Sequence, residues 1–168
     1  DTYRSIPSTV KGEWKRAASL FQNCDVRCGN VSDESKDLST GDAEIVIGGP
    51  PCQGFSVGGK MDPKDVRIRE VFHFLDVVKR TRPFVFVLEN VEALATNVRW
   101  SHVRERMIHE ISGLYHTNIH VLNAAEYGVP QLRKRMFFVG TLDANCDYAE
   151  MLEGMTLNPI TSGDALRT

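Results

Sequence analysis

The sequence predicts an α/β fold, a mainly parallel sheet with helices on both sides. Short apolar runs alternate with segments whose apolar residues recur at helical spacing. Two of those runs, Ile45–Gly48 and Phe84–Leu88, lack polar alternation, as strands covered on both faces do. The composition is that of one ordinary globular domain: 168 residues, 42% hydrophobic and 25% charged.

The elements follow in order. Glu13 to Gln22 reads as a helix with Trp14, Ala17, Ala18 and Phe21 on one face. Ile45 to Gly48 is a short strand closed by glycine, and Gly48 to Pro63 is a loop rich in Gly and Pro. Val66 to Arg80 reads as an amphipathic helix through Val71, Phe74, Leu75 and Val78. Phe84 to Leu88 is the second strand. Trp100 to Leu114 is a helix with Val103, Met107, Ile111 and Leu114 in register. Ile119 to Leu122 and Met136 to Val139 complete the strands, and the pattern weakens after Gly140. No repeat or low-complexity segment interrupts this order.

No run of eighteen apolar residues occurs, so no transmembrane helix is expected, and no secretory signal is visible. Cys24 and Cys28 lack the second Cys or His pair that a zinc site requires, so no metal is expected. The four cysteines are expected to be reduced and the protein intracellular. A net charge of −2 gives no global pull toward nucleic acid. Lys60, Lys64, Arg67, Arg69, Lys79, Arg80 and Arg82 cluster in the middle, and Arg133, Lys134 and Arg135 form a short basic run. Charge alone supports equally a local basic face and an ordinary solvated surface.

Three polar clusters adjoin apolar strands. Cys52 follows Val46-Ile47 across a Gly-Gly-Pro-Pro corner, Glu89-Asn90-Val91 follows Val87-Leu88, and Gln131-Leu132-Arg133-Lys134-Arg135 precedes Met136. Carboxyl ends of neighbouring parallel strands converge, so Cys52 and Glu89 can share one cleft. A thiolate is a strong nucleophile, and a carboxyl can donate a proton to a ring nitrogen. Together they suit addition to an electron-poor ring, with arginines to hold phosphate. Each cluster alone has an ordinary reading. A lone Cys is usually inert packing, Asn90 could cap the helix that follows, and Gln-x-Arg-x-Arg could be a solvated strand edge. Their joint occurrence beside successive strands favours the active reading.

In these residues the sequence closely resembles the cytosine-5 DNA methyltransferase family. The matching segments are Gly49-Pro50-Pro51-Cys52-Gln53-Gly54-Phe55-Ser56, then Pro83 through Glu89-Asn90-Val91, then Asn123 through Gln131 with Arg133 and Arg135. The resemblance runs from about Tyr3 to about Leu166. It implies a Rossmann-like S-adenosylmethionine-dependent methyltransferase sheet with helices on both faces, incomplete at both ends. Cys52 would attack carbon 6 of a cytosine flipped out of double-stranded DNA, and Glu89 would stabilise the adduct at ring nitrogen 3. Arg133 would support the flipped base and Arg135 the nearby backbone. Gln53, Ser56, Asn90 and Gln131 would complete the substrate contacts, and the Cys52 loop would close as a lid. Asn30, Val31 and Pro51 would contact the cofactor, S-adenosylmethionine. Asn30 stands where the family places an acidic residue, and Glu70 where an apolar cofactor contact is usual.

The resemblance also implies missing parts. The family's Phe-x-Gly-x-Gly block and its target-recognition domain have no counterpart in these residues. Residues 1–140 are therefore expected to be a partial catalytic domain, and 141–168 a segment leading toward the recognition domain. The strand at Ile45 is expected to present an unpaired edge, completed by missing segments or a second polypeptide. A bacterial cytoplasm or a eukaryotic nucleus would house such an enzyme. Two alternatives stay open: a nucleic-acid-binding scaffold without catalysis, and a related RNA cytosine methyltransferase. Gly54-Phe55-Ser56 looks more like the DNA enzymes. A redox role for Cys52 is disfavoured, because no resolving Cys lies nearby in sequence.

Overall fold

The computed structural model describes residues 27–55, 66–144 and 154–166. The expected helix at Glu13–Gln22 lies outside the described residues, as do Cys24, Ser56, Lys60, Lys64 and Cys146. The chain divides into two compact units, Asp1–Asp37 and Leu38–Thr168. In the first unit a single-turn helix, α1, spans Val31–Glu34.

Among the described residues the second unit has four strands: β1 Ile45–Gly48, β2 Val85–Val91, β3 His116–Asn123 and β4 Lys134–Thr141. They lie in the order β1-β2-β4-β3. β1 pairs with β2 in parallel, whereas β4 runs antiparallel to both β2 and β3. Three strands therefore share one direction, as strands separated by helices should. The expectation of a mainly parallel sheet needs correction in its pairings, two of which are antiparallel. The reason lies between β3 and β4, where only a 3-10 turn, Ala124–Tyr127, and a loop intervene. Without a crossover helix, consecutive strands pair antiparallel.

Helix α2, Arg69–Thr81, follows a 3-10 turn at Val66–Ile68, so the segment read as one helix starts tighter than its periodicity indicates. It ends at Arg82, whose φ of 51° is left-handed and whose N–H donates to the Val78 carbonyl. Pro83 then prevents continuation. α3, Glu92–Thr96, and α4, Ser101–Ile111, come between β2 and β3, with a 3-10 turn at Val98–Trp100 joining them. α5, Ser162–Ala165, carries a capping box formed by Thr161 and Asp164.

Strand alternation decides which side chains meet the helices. Along β2, Phe86, Leu88 and Asn90 are buried while Val85, Val87, Glu89 and Val91 are partly open. Register places Val46 and Gly48 beside Phe86 and Leu88, and Phe138 and Met136 opposite Leu88 and Asn90. Val71, Phe74, Leu75 and Val78 of α2 join this face, with Val103, Met107 and Ile111 of α4. Phe86 is its hub, meeting Phe74, Tyr115 and Phe138 edge-to-face at centroid distances of 6.2, 5.2 and 5.4 Å. Each such pair adds about 0.5–1.5 kcal/mol beyond buried area. The Tyr115 hydroxyl donates to the Pro83 carbonyl at 2.7 Å, and burial pushes its pKa up. At the surface Lys79 joins α2 to α4 through Glu110 at 2.7 Å. Its hydrogen bond holds the Glu110 carboxyl below the usual range.

Among the described residues β1 forms an edge of the sheet, and Ile45 and Ile47 are 60% and 74% exposed there. Among the described residues no helix is long and apolar enough to cross a membrane.

Two glycines admit neighbouring rings. A Cβ on Gly48 would stand 2.5 Å from the Phe74 ring, and one on Gly140 would meet the Phe86 ring. Gly140→Ala is expected to lower stability by about 1–3 kcal/mol through overpacking. Gly113, with nothing within 4 Å of an added Cβ, is the control. Gly113→Ala should shift stability by no more than about 0.5 kcal/mol in urea unfolding. Equal midpoints for the two variants would refute the packing argument.

Candidate active site

β2 outlasts its parallel partner. β1 stops at Gly48, paired with Leu88, while β2 continues through Glu89 and Asn90 because β4 supplies partners as far as Val91↔Arg135. The sequence places the end of this strand at Leu88, where the apolar run stops. Pairing with β4 carries it three residues further.

That extension turns two adjacent polar residues to opposite faces. Asn90 points inward and is 1% exposed. Its side-chain amide donates to the Pro50 carbonyl at 3.1 Å, and its oxygen accepts the Val91 N–H at 2.9 Å. Asn90 therefore does not cap the following helix, whose N-cap is Val91 with no side-chain bond. Glu89 points outward, and Arg135 Nε pairs with its carboxylate at 3.0 Å. A Cβ on Gly49 would lie 3.6 Å from Glu89 Oε2, so the start of the Cys52 loop passes directly against this carboxylate.

The loop is held at a second point. The Phe55 N–H donates to the Cys52 carbonyl at 2.9 Å, closing a four-residue turn. Phe55 is fully buried, and its ring meets Trp100 edge-to-face at 5.1 Å and 83°. Between the Asn90 and Phe55 anchors, Cys52 is a partly exposed free thiol. Pro51 and Gln53 on either side are exposed.

The basic run begins in a loop and enters β4, an interior strand, so it is not the sheet edge it resembles. The Asn123 side chain accepts the Arg133 N–H at 3.1 Å and the Ala125 N–H at 3.4 Å. The Ala124 N–H donates to the Arg133 carbonyl at 3.0 Å. These bonds fix the Arg133 backbone, while its side chain is exposed, without a hydrogen-bond or ion-pair partner among the described residues. An open cleft of about 630 Å³ is lined by Val91, Glu92, Asn123, Gln131, Arg133 and Arg135, among others. Cys52 and Glu89 are not in its lining, and Arg135, paired to Glu89, connects the two places. Lys134 adds a third cation there, 3.6 Å from Glu92.

The structure thus gathers Glu89, Asn90, Arg135 and the Cys52 loop at the end of β2, with Gln131 and Arg133 in the adjoining cleft. Asn30 and Val31 lie at the start of α1 in the first unit. Two participants had no reading of their own in the sequence. Asn123 stands at a strand end, a common place for an Asn that organises a turn. Trp100 enters the sequence reading only as the first residue of the helix expected over Trp100–Leu114, and it lies in the 3-10 turn ahead of α4.

The arrangement defines an α/β protein with a thiol and a carboxyl at the ends of adjacent parallel strands, beside a basic cleft. The chain belongs to the C-5 cytosine-specific DNA methylases, whose family model matches residues 9–159. It is 36% identical over 148 residues to the type II methyltransferase M.DdeI of Desulfomicrobium norvegicum, covering 82% of this chain and 35% of that protein. It is 44% identical over 107 residues to M1.HphI of Haemophilus parahaemolyticus, covering 60% and 28%. A solved methyltransferase encoded within an E. coli prophage superposes with a TM-score of 0.58 at 32% identity, covering 73% of this chain and 34% of the other. The chain spans about a third of the length of these relatives. Its sheet is accordingly part of a Rossmann-like α/β fold.

Asn90→Ala removes the side-chain amide that donates to the carbonyl of the partly buried Pro50. Stability is expected to fall by about 1–3 kcal/mol. An unchanged urea midpoint would show that this anchor contributes nothing.

Proposed function

We propose that this chain carries the catalytic segment of an enzyme that methylates carbon 5 of cytosine in DNA. The observation that carries the reading is the placement of the Cys52 loop against Glu89. Family membership and the type II methyltransferase relatives support the substrate class.

Cys52 is the nucleophile. Its thiol loses its proton to solvent, the sulfur bonds to carbon 6 of the ring, and the electrons of the 5,6 double bond move toward ring nitrogen 3 and carbon 5. Glu89 holds a proton at nitrogen 3, which removes the cost of developing negative charge there. Arg135 keeps the Glu89 carboxyl group oriented. Arg133 reaches from its fixed backbone toward the base or its phosphate. Once carbon 5 carries the methyl group, loss of its proton restores the double bond and breaks the carbon–sulfur bond, freeing Cys52. The target base must leave the duplex stack, because stacking hides the face that Cys52 attacks. Asn90 acts inside the loop rather than on substrate, while Gln53, Ser56 and Gln131 complete the contacts to DNA.

S-adenosylmethionine supplies the electrophilic methyl group when bound. The residues assigned to it are Asn30 and Val31 of the first unit and Pro51 of the second. The Asn30 side chain makes no cap bond with the helix it precedes, and Val31 is 50% exposed, a polar and an apolar surface of the kind an adenine needs. Pro51 is exposed on the loop beyond β1.

The full-length protein should form a covalent adduct with 5-fluorocytosine duplex DNA in the presence of S-adenosylmethionine. Mass spectrometry should map the adduct to Cys52, and Cys52→Ala should abolish it. Glu89→Gln should slow adduct formation by about 10²–10⁴-fold, the range for losing a general acid. No adduct with DNA that binds, or an adduct only with transfer RNA, would overturn the reading.

A further inference from the structure

We propose that Trp100 is a positioning residue for Cys52, acting through Phe55. The proposal rests on Cys52 being the reacting group. Cys52 itself has no side-chain anchor among the described residues, so its placement depends on what holds its loop. Upstream, Asn90 holds Pro50. Downstream, the turn transmits the position of Phe55 directly to Cys52 through the 2.9 Å bond between them. Phe55 in turn is seated on Trp100, and both rings are fully buried.

Trp100 is a firm seat. Its 3-10 turn is capped by Asn97, whose side chain accepts the Arg99 N–H at 2.9 Å and whose carbonyl accepts the Trp100 N–H at 3.0 Å. The Arg104 guanidinium donates to the Leu94 and Asn97 carbonyls, both at 2.9 Å, and locks this turn to α3 and α4. The position of the thiol is therefore referred to an element about fifty residues away in sequence.

Trp100 Nε1 is buried without a hydrogen-bond partner among the described residues. A buried N–H left unpaired is costly, and a phenyl ring would avoid that cost. The indole offers Phe55 area and an edge-to-face contact, and Phe at this position should preserve the function in part.

The test is the alkylation rate of Cys52 by iodoacetamide, read by mass spectrometry well below the unfolding temperature, with exposed Cys28 as internal reference. Amide exchange at Phe55 is read in parallel. Trp100→Ala should speed Cys52 alkylation relative to Cys28 by about two- to tenfold, the range an edge-to-face aromatic contact supports. It should also speed exchange at Phe55. Trp100→Phe should recover most of the wild-type behaviour. Met107→Ala, another core truncation, should leave both readings unchanged at equal distance from its own melting temperature. Phe55→Leu keeps an apolar anchor without the ring contact, and should reproduce the Trp100→Ala effect even if that variant folds poorly. Wild-type rates in Phe55→Leu, or equal effects from Met107→Ala, would overturn the proposal. Neither reading requires methylation, so the result stands apart from the test of Cys52 as nucleophile.

Discussion

The site depends on the two-residue alternation of one strand. β2 is hydrogen-bonded on both sides, to β1 in parallel and to β4 antiparallel, so its register cannot slip by one residue without exchanging its faces. Phe86 and Leu88 commit the inward face to the core. Asn90 must then point in and Glu89 must point out. A buried Asn needs partners, and the Pro50 carbonyl and Val91 N–H provide them. An outward Glu beside Arg135 acquires a cation. The chemistry of the site is thus tied to the packing of the hydrophobic core.

The antiparallel strand has a second consequence. By lying between β2 and β3, β4 brings the basic run beside the acidic group that ends β2. Arg135 and Glu89 then lie on one face of adjacent strands, diagonally related across the ladder. Arg133 is two residues away, on the loop side of the strand, where Asn123 fixes its backbone and leaves its side chain outward. Two arginines two positions apart so acquire different surroundings, one held by a carboxylate and one open to the cleft.

Much of this was legible. The bounds of β1 are those its apolar run and terminal glycine indicate, and the apolar spacing of α2 and α4 names residues that are buried, except Leu114, which is half-buried past the end of α4. The motif residues Cys52, Glu89 and Arg135 stand out because their types suit chemistry better than packing. What escaped was long-range. The last three residues of β2 are polar enough to read as loop, and only pairing with β4 makes them strand. The insertion of β4 between β2 and β3 has no local signature beyond the missing helix before it. The roles of Asn90 and Trp100 depend on partners forty and forty-five residues away, Pro50 and Phe55, which spacing cannot reveal.

The central claim is that Cys52 and Glu89 act on one pyrimidine ring. Addition of Cys52 to carbon 6 makes carbon 5 exchange its hydrogen with water even without a methyl donor. The direct measurement is tritium release from duplex DNA carrying 5-tritiated cytosine, with the full-length protein and no S-adenosylmethionine. The account predicts release that stops in Cys52→Ala and is strongly slowed in Glu89→Gln, with DNA binding retained in both. Release that persists in Cys52→Ala, or none from a wild-type protein that binds the DNA, would contradict it.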